Sequence, residues 1–212
     1  MSDEPPIVVA VIDDDPSVRD ALGRLFETVA IKAELFGSVD DYLRASKSHP
    51  ANCIVLDVRL PGASGLDFQT QLVGANNHTP IVFITAHADI PMSVRAIKAG
   101  AIEFLTKPFR HQELLDAVRN GIERDRLRRA EDLAITDLQA RFASLTPREK
   151  QIMALLAEGR ITKQIAGEIG ISAMTVRIHR GQVISKMGAR STADLVRMGD
   201  KLGLQSSKAQ AN

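Results

Sequence analysis

Three aspartates of this sequence stand at the ends of short apolar runs. Asp13 and Asp14 directly follow IVVAVI, and Asp57 closes CIVLD. If the two runs are neighbouring parallel strands, the three carboxylates meet at one edge of a sheet and repel one another. Such repulsion raises at least one pKa or requires a cation. Mg²⁺, a hard ion that prefers oxygen ligands, meets this requirement.

Two more polar residues follow later apolar runs. Thr85 closes VFIT, and Lys107 comes directly after EFLT. With Mg²⁺ bound, Asp57 can act as a nucleophile toward a phosphoryl group and form an acyl phosphate. The metal and Lys107 would neutralise the developing charge, while Thr85 donates to a phosphoryl oxygen. Each residue alone also has an ordinary structural explanation, since an aspartate after a strand is usually a turn residue and a lysine is usually solvated.

The apolar runs have the order expected for the strands of an α/β domain. Each run is followed by a helix-compatible segment, and both Asp15, which precedes a proline, and Ser38 are suitable helix N-caps. This order predicts a doubly wound five-stranded parallel sheet, with a functional crevice at the carboxyl ends of its central strands. The predicted strands lie at 7–12, 32–36, 53–58, 80–86 and 101–105.

Composition limits the class of protein. The chain has 212 residues, enough for two domains, and its single cysteine, Cys53, permits no internal disulfide. The five histidines lack metal-ligand spacing and there is no glycine-rich phosphate loop, which argues against zinc and nucleotide cofactors. No apolar run is long enough to span a bilayer and no signal peptide is recognisable, so the sequence predicts a cytoplasmic protein.

Charge divides the chain into two unlike parts. Residues 1–125 carry 12 basic and 18 acidic side chains, a net charge of −6, whereas residues 126–212 carry 15 and 8, a net charge of +7. The basic part lacks the long apolar face of a membrane-binding helix, so its charge favours nucleic acid over a membrane as the partner.

The segment between the two parts is highly charged. ERDRLRRAED, residues 123–132, has eight charged residues out of ten, and Asp125 can pair with Arg129 across one helical turn. A solvated helix between two domains is one interpretation. A disordered linker is the other, because Gly121 disfavours helix by about 1 kcal/mol relative to alanine.

Helix-start signals recur in the basic part. Thr146 and Glu149 form a predicted capping box, and Thr162, Ser172 and Ser191 are suitable caps for three further helices. The helix that Thr162 is expected to cap and the helix that Ser172 caps are separated by only Gly-Ile-Ser. This spacing predicts a helix-turn-helix whose second helix enters the DNA major groove.

A helical wheel divides the predicted recognition helix, residues 173–187, into two sides. Arg177 can pair with guanine, Ile178 can touch a thymine methyl group, and Gly181 lets the backbone approach the DNA. The alternative is that Ile178 packs on another protein surface. The core-facing side contains Val176, Val183 and Met187, and the opposite side contains Met174, Arg177, Ile178, Gly181 and Ser185.

Four residues toward the flanks of the helix-turn-helix are predicted phosphate contacts: Lys163, Thr175, His179 and Arg180. Phosphate contacts position a domain on DNA without reading its sequence. Arg180 falls near the core side of the wheel, where its long stem could instead snorkel. Six basic residues and one acidic residue between 159 and 190 predict a salt-sensitive contact.

Several stretches carry a family resemblance. VIDDDPSVR, VLDVRLPGASG, VFITAH and AIEFLTKPF resemble the signature stretches of the receiver domains of two-component response regulators. LTPREKQIMALLAEG and KQIAGEIGISAMTVRIHRGQVISKMGARS resemble the LuxR-type DNA-binding domain. Together they resemble the FixJ/NarL family, and within it the FixJ and StyR branch, over residues 7–203.

The resemblance assigns roles to residues of the acidic site. It implies a flavodoxin-like receiver in which Asp57 is the phosphoacceptor, Asp14 and the main-chain carbonyl of Arg59 hold Mg²⁺, and Asp13 helps through water. Thr85 and Phe104 would form a switch pair, although many receivers have tyrosine at the position of Phe104. Lys107 would precede a cis peptide bond to Pro108.

The resemblance also implies an organisation and partners. A receiver would span residues 1–125, a helical linker 126–143, a helix-turn-helix domain 144–205 and a disordered tail 206–212. The partners would be a sensor histidine kinase, promoter DNA, RNA polymerase and, on phosphorylation, a second copy of the chain.

Two other functions remain open at this point. One is an aspartyl phosphatase, although Arg59 stands where haloacid dehalogenases carry a second aspartate as general acid. The other is a binding module that ignores phosphate and acts through protein contacts alone.

Overall fold

The computed structural model describes residues 6–46, 51–87 and 89–204. The chain forms two compact units, Met1–Arg129 and Ala130–Asn212. The tail that the sequence predicted to be disordered, 206–212, lies outside the described residues.

The first unit contains a five-stranded parallel sheet. Its strands are β1 (Val8–Ile12), β2 (Lys32–Phe36), β3 (Cys53–Asp57), β6 (Ile81–Thr85) and β7 (Glu103–Thr106), and β4 (Arg59–Leu60) pairs with β5 (Ala63–Ser64) in a short antiparallel ribbon. The strand order in the parallel sheet is β2-β1-β3-β6-β7, so the predicted doubly wound flavodoxin-like fold is confirmed.

Helices cover both faces of this sheet. All residues of β1, β3 and β6 are buried, which explains their continuous apolar runs. These helices are α1 (Pro16–Glu27), α2 (Val39–Ser46), α3 (Gly65–Gly74), α4 (Ile90–Lys98) and α5 (His111–Ala143). Alternate strand residues contribute to two cores, one shared with α2, α3 and α4 and the other with α1 and α5.

The N-caps expected for the first two helices are present. The side chain of Asp15 accepts a hydrogen bond from the Ser17 N–H at 2.8 Å, and Ser38 Oγ accepts one from the Asp41 N–H at 3.1 Å. Each cap satisfies a backbone donor that the first helical turn would otherwise leave unpaired.

The charged segment around Asp125 is helical, because α5 continues through it to Ala143. Asp125 pairs with Arg129 at 2.5 Å, as the spacing predicted, but the helix is not solvated on all sides here, since the Asp125 side chain is fully buried. It accepts hydrogen bonds from Asn52 Nδ2 at 3.0 Å and from Arg128 at 2.8 Å. Asn52 also accepts the Val8 N–H at 2.9 Å. Asp125 therefore fixes α5 to the amino ends of β1 and β3.

Replacing Asp125 with alanine is expected to destabilise the first unit by about 1.5 kcal/mol, because Asn52 and two arginines lose a buried acceptor. Urea unfolding measures this loss. Glu123→Ala is the matched control, since Glu123 pairs with Arg126 on the exposed side of the same helix and should change stability by less than about 0.5 kcal/mol. Equal effects of the two variants would contradict a structural role for the buried cluster.

The described residues of the second unit are largely helical and share one apolar core, to which the end of α5 contributes Leu138. The core also holds the inner faces of α6 (Pro147–Ala157), α7 (Thr162–Ile169), α8 (Ala173–Met187) and α9 (Thr192–Lys201). Between α7 and α8, Gly170 adopts a left-handed conformation with φ of 67°, which glycine accepts more readily than other residues.

One predicted cap in this unit is wrong. Thr146 with Glu149 forms the capping box of α6, and Ser172 and Ser191 cap α8 and α9. Thr162, however, is the first residue of α7, and the apolar Ile161 occupies the N-cap position. Gln164 Oε1 accepts the Ile161 N–H at 3.0 Å, so a side chain from inside the helix replaces the expected cap.

Among the helices in the described ranges, none combines the length and apolar character that crossing a membrane requires. The 33 residues of α5 are long enough but too highly charged.

Candidate functional site

The carboxyl edge of the sheet brings three carboxylates together. Asp13, Asp14 and Asp57 each offer an oxygen atom, and these atoms lie within 4.8 Å of one another. Asp13 is fully buried and Asp57 is 7% exposed, whereas Asp14 lies in solvent. The cluster thus has a buried inner part and one side that faces solvent.

Lys107 supplies the positive charge of this cluster. Its Nζ lies 2.6 Å from Asp13 Oδ2 and 2.7 Å from Asp57 Oδ2. Burial opposes the charge on Lys107, but the hydrogen bonds to both aspartates outweigh burial and raise the pKa of the ammonium group. Burial also raises the pKa of Asp13, against the opposing effect of its hydrogen bond from Lys107.

Backbone groups orient the carboxylates. Asp57 Oδ1 accepts the Arg59 N–H at 2.9 Å, and Asp13 Oδ1 accepts the Asp15 N–H at 3.0 Å. The main-chain carbonyl of Asp13 accepts a hydrogen bond from Arg19 at 2.7 Å. These bonds hold the carboxylates in place without using all their oxygen lone pairs, since each carboxylate has about four acceptor sites.

Gly65 is a site residue that the sequence reasoning missed. A Cβ at this position would lie 2.6 Å from the main-chain oxygen of Asp57. A larger residue would therefore displace the end of β3. Its signal was present in the sequence as the glycine that closes PGASG, but only the structure shows what it approaches.

Thr85 and Phe104 lie on the neighbouring strands. Thr85 is fully buried, and its hydroxyl accepts the His87 N–H at 3.2 Å. Phe104 is half-buried in β7, opposite Phe83 in β6, and their ring centroids are 6.1 Å apart. The structure thus places Thr85 at the strand end and Phe104 two residues earlier in register. The Lys107–Pro108 peptide bond is cis.

A second group of predicted site residues lies on one face of α8. Arg177 and Gly181 are exposed, and the apolar side chains of Met174 and Ile178 are 64% and 54% exposed. On the opposite face, Val176, Val183 and Met187 are completely buried. The two apolar side chains thus lie one helical turn apart on the solvent-facing side of α8.

The residues predicted to contact phosphate have different environments. Lys163 is exposed in the first turn of α7. The Thr175 hydroxyl lies 2.8 Å from Ser172 Oγ, and His179 Nδ1 lies 3.1 Å from Gln182 Oε1. Arg180 is half-buried. Lys163 is therefore the most accessible of the four, while Thr175 and His179 already have local hydrogen-bond partners.

Comparison with known families divides the chain in the same way as its charge. Residues 9–119 match the family described as the response regulator receiver domain. Residues 143–199 match the bacterial regulatory proteins of the luxR family.

Similar proteins cover nearly the whole chain. Nodulation protein W of Bradyrhizobium diazoefficiens is 49% identical over 96% of this chain and 89% of its own length. Response regulator protein TodT of Pseudomonas putida is 40% identical over 92% and 86%.

Solved structures give a matching result. The response regulator StyR is 44% identical, with a TM-score of 0.79 over 93% of this chain and 100% of its own. Full-length FixJ from B. japonicum is 35% identical, with a TM-score of 0.56 over 93% and 97%.

Proposed function

Since this chain belongs to the response regulators of two-component systems, with a receiver domain and a luxR-type DNA-binding domain, we propose that phosphorylation of Asp57 controls its binding to promoter DNA. The family consists of transcriptional regulators rather than conventional enzymes. The observation that carries the proposal is the ammonium group of Lys107 between Asp13 and Asp57, at 2.6 and 2.7 Å.

The donor set of the acidic cluster fits Mg²⁺. Three carboxylates converge, at least one of them open to solvent, and their hard oxygen atoms are the ligands that this ion prefers. Asp14, Asp57 and the main-chain carbonyl of Arg59 would hold the ion, with Asp13 acting through water. When bound, Mg²⁺ supplies positive charge that offsets the charge of the incoming phosphoryl group.

The chain's own residues account for the transfer. A phosphoryl group passes from a phosphohistidine of the sensor kinase to a carboxylate oxygen of Asp57, so that a P–N bond breaks and a P–O bond forms. Lys107 stays protonated beside the reacting carboxylate because its pKa is raised by hydrogen bonds that outweigh burial. Thr85 is the last residue of β6, which pairs with β3 beside Asp57, and its hydroxyl would donate to the phosphoryl group. Later attack by water on the phosphorus breaks its bond to the Asp57 oxygen, which releases inorganic phosphate and the free carboxylate.

Phosphorylation is proposed to favour a homodimer. Thr85 would turn toward the phosphoryl group and leave space for Phe104, which reshapes the surface formed by residues 90–125. On that surface Ile90, Val94 and Ile97 of α4 are exposed. Their spacing places them on one side of the helix, where a second copy could cover them.

Thr85→Ala is expected to weaken phosphorylation-dependent dimerisation about fivefold, because the hydroxyl that senses the phosphoryl group is missing and a modest coupling energy is lost. Light scattering with and without acetyl phosphate measures the effect. Thr28→Ala is the control, since Thr28 is exposed at the end of α1. Unchanged dimerisation of Thr85→Ala would mean that the signal takes another route.

The exposed face of α8 is proposed to enter the DNA major groove. Arg177 and Ile178 would read base edges, while Gly181 allows close approach of the backbone. Lys163, with Thr175, His179 and Arg180, would contact phosphates. Each copy of a dimer presents one such helix, so the promoter site should contain two inverted half-sites, from which the dimer acts on RNA polymerase.

The domain boundaries are proposed as a receiver at 1–125, a helical linker at 126–143 and a DNA-binding domain at 144–205.

Fluorescence anisotropy on duplex DNA selected from a random pool tests the function as a whole. Binding should tighten when acetyl phosphate and Mg²⁺ are added. Binding that is insensitive to both would instead support a module that acts without phosphorylation.

A further inference from the structure

The two helices of the helix-turn-helix are α7 and α8, and the last main-chain carbonyl of each accepts a hydrogen bond from an arginine of another helix. Arg148 of α6 donates from Nη2 to the main-chain oxygen of Ile169, the last residue of α7, at 2.9 Å. Arg141 of α5 donates from Nη1 to the main-chain oxygen of Met187, the last residue of α8, at 3.1 Å. The same type of contact thus occurs at both carboxyl ends.

These contacts have a clear electrostatic basis. The last four carbonyl groups of a helix lack partners within the helix, and its carboxyl end carries a partial negative charge. A guanidinium group both donates a hydrogen bond to such a carbonyl and opposes that charge. The two arginines are therefore suited to fixing the ends of α7 and α8.

The surroundings of Arg141 hold its guanidinium group in place. Asp137, one turn earlier in α5, binds Arg141 Nη2 at 2.7 Å. Gly188, which ends α8 in a left-handed conformation, has no side chain, and a Cβ there would collide with Arg141 Nη1. Leu138, on the same helix, is buried in the core of this unit. Arg141 thus occupies space left open at the end of α8.

The far end of α8 matters for the residues near its start. A helix of 15 residues is about 22 Å long, and Arg177 and Ile178 lie in its amino-terminal half. The buried Val176 and Val183 hold one side of the helix. A contact at the Met187 carbonyl fixes the remaining freedom of α8, which is the direction of its axis. That direction determines the angle at which the Arg177 side chain approaches a base.

We propose that Arg141 and Arg148 are positioning residues for DNA recognition, which orient α8 and α7 through their terminal carbonyls and do not themselves contact DNA. This inference rests on the proposed function. The positive charges of Arg141 and Arg148 then have a different role from those of the phosphate-binding residues, although all of these residues lie in the basic part of the chain.

The test uses the full chain with acetyl phosphate and Mg²⁺, and two duplexes of equal length. One duplex is selected by the wild-type protein from a random pool, and the other has mixed sequence. Arg141→Ala should lower affinity for the selected duplex about fivefold, with little change on mixed sequence, because it loses a charge-assisted hydrogen bond that orients α8. Its salt slope should stay unchanged, whereas loss of a phosphate contact lowers that slope by about one unit.

Two other variants make the result decisive. Asp137→Ala frees the Arg141 guanidinium and removes a negative charge. If Arg141 positions α8, this change lowers affinity for the selected duplex; if Arg141 binds phosphate, it raises affinity for both duplexes. Arg197→Ala removes an equal charge from α9, where Arg197 pairs with Asp194, and should leave the preference between duplexes unaltered.

Arg148→Ala should act in the same direction as Arg141→Ala. Thermal unfolding identifies a variant that fails to fold, and in that event the sign of the Asp137→Ala effect decides the inference. An Arg141→Ala chain that matches Arg197→Ala, or that loses affinity equally on both duplexes with a lower salt slope, would overturn it. A wild-type chain without preference for the selected duplex would contradict the proposed function instead.

Discussion

Replacing Asp57 with asparagine is expected to abolish phosphorylation of the chain by acetyl phosphate in the presence of Mg²⁺. The amide keeps the size of the side chain but lacks the nucleophilic carboxylate oxygen. Intact-mass measurement should show one added phosphoryl group on the wild type and none on Asp57→Asn. Chelation of the metal should remove the labelling of the wild type as well, since three carboxylates and the phosphoryl group would then lack a divalent counter-charge.

Asp67→Asn is a matched control for this experiment. Asp67 is an exposed carboxylate in the first turn of α3 and pairs with Arg95. The variant should be phosphorylated as well as the wild type. Equal labelling of Asp57→Asn and the wild type would show that another residue accepts the phosphoryl group. The proposal that Asp57 is the phosphoacceptor would then be wrong.

The order of strands made the position of the acidic cluster predictable from the sequence. Parallel strands end at the same edge of a sheet, so the aspartates that follow IVVAVI and the aspartate that closes CIVLD must approach each other once the strands are identified. Side-chain geometry was beyond that argument. The contacts of Lys107 with two carboxylates, and the closeness of Gly65 to the Asp57 backbone, depend on loops whose paths the sequence pattern does not specify.

Burial of Asp125 could not be predicted from its own segment. Eight of the ten residues around it are charged, which is typical of a solvated helix. Its burial depends on Asn52, 73 positions earlier in the chain, which lies beside it at the amino end of β3. Local periodicity carries no information about such a distant partner.

The start of α7 shows a different limit of sequence reasoning. Thr162 is a good N-cap by residue type, but the helix includes it and begins one position earlier than expected. Cap preferences amount to about 1 kcal/mol, and the bond from Ile161 N–H to the Gln164 side chain offers an alternative. Element boundaries are decided by small energies of this kind, whereas the existence of the helix is decided by burial of Ile165.

The net positive charge of residues 126–212 indicated nucleic acid as the partner but did not identify the residues that would contact it. Part of the positive charge of the second unit is engaged internally, since Arg141 and Arg148 bind main-chain carbonyls and Lys186 pairs with the buried Glu149 at 2.8 Å. The hydrogen bond from Lys186 lowers the pKa of Glu149, so this carboxylate stays ionised. A mutational study of DNA binding must therefore separate basic residues that bind other groups of the fold, even where they are exposed, from those available to DNA.

Arg177 and Lys163 face solvent, and their replacement should have effects of different kinds. Arg177→Ala should cost about 1 to 3 kcal/mol on the best DNA site and relax preference at one base pair in each half-site, because a bidentate contact to a base edge is lost. Lys163→Ala should weaken binding to all sequences alike and lower the salt slope by about one unit. Affinities for a panel of single-base variants, at two salt concentrations, measure both effects.

The contrast between the two variants depends on where each side chain lies. Arg177 lies beside Ile178 on the exposed face of α8, opposite the buried Val176 and Val183. Both Arg177 and the apolar Ile178 therefore point away from the core. Lys163 is in the first turn of α7, where backbone donors and a positive charge together favour a phosphate. If Arg177→Ala loses affinity equally on every sequence while the base preferences persist, Arg177 is a phosphate contact. Ile178 would then be better explained as a residue that packs against another protein surface.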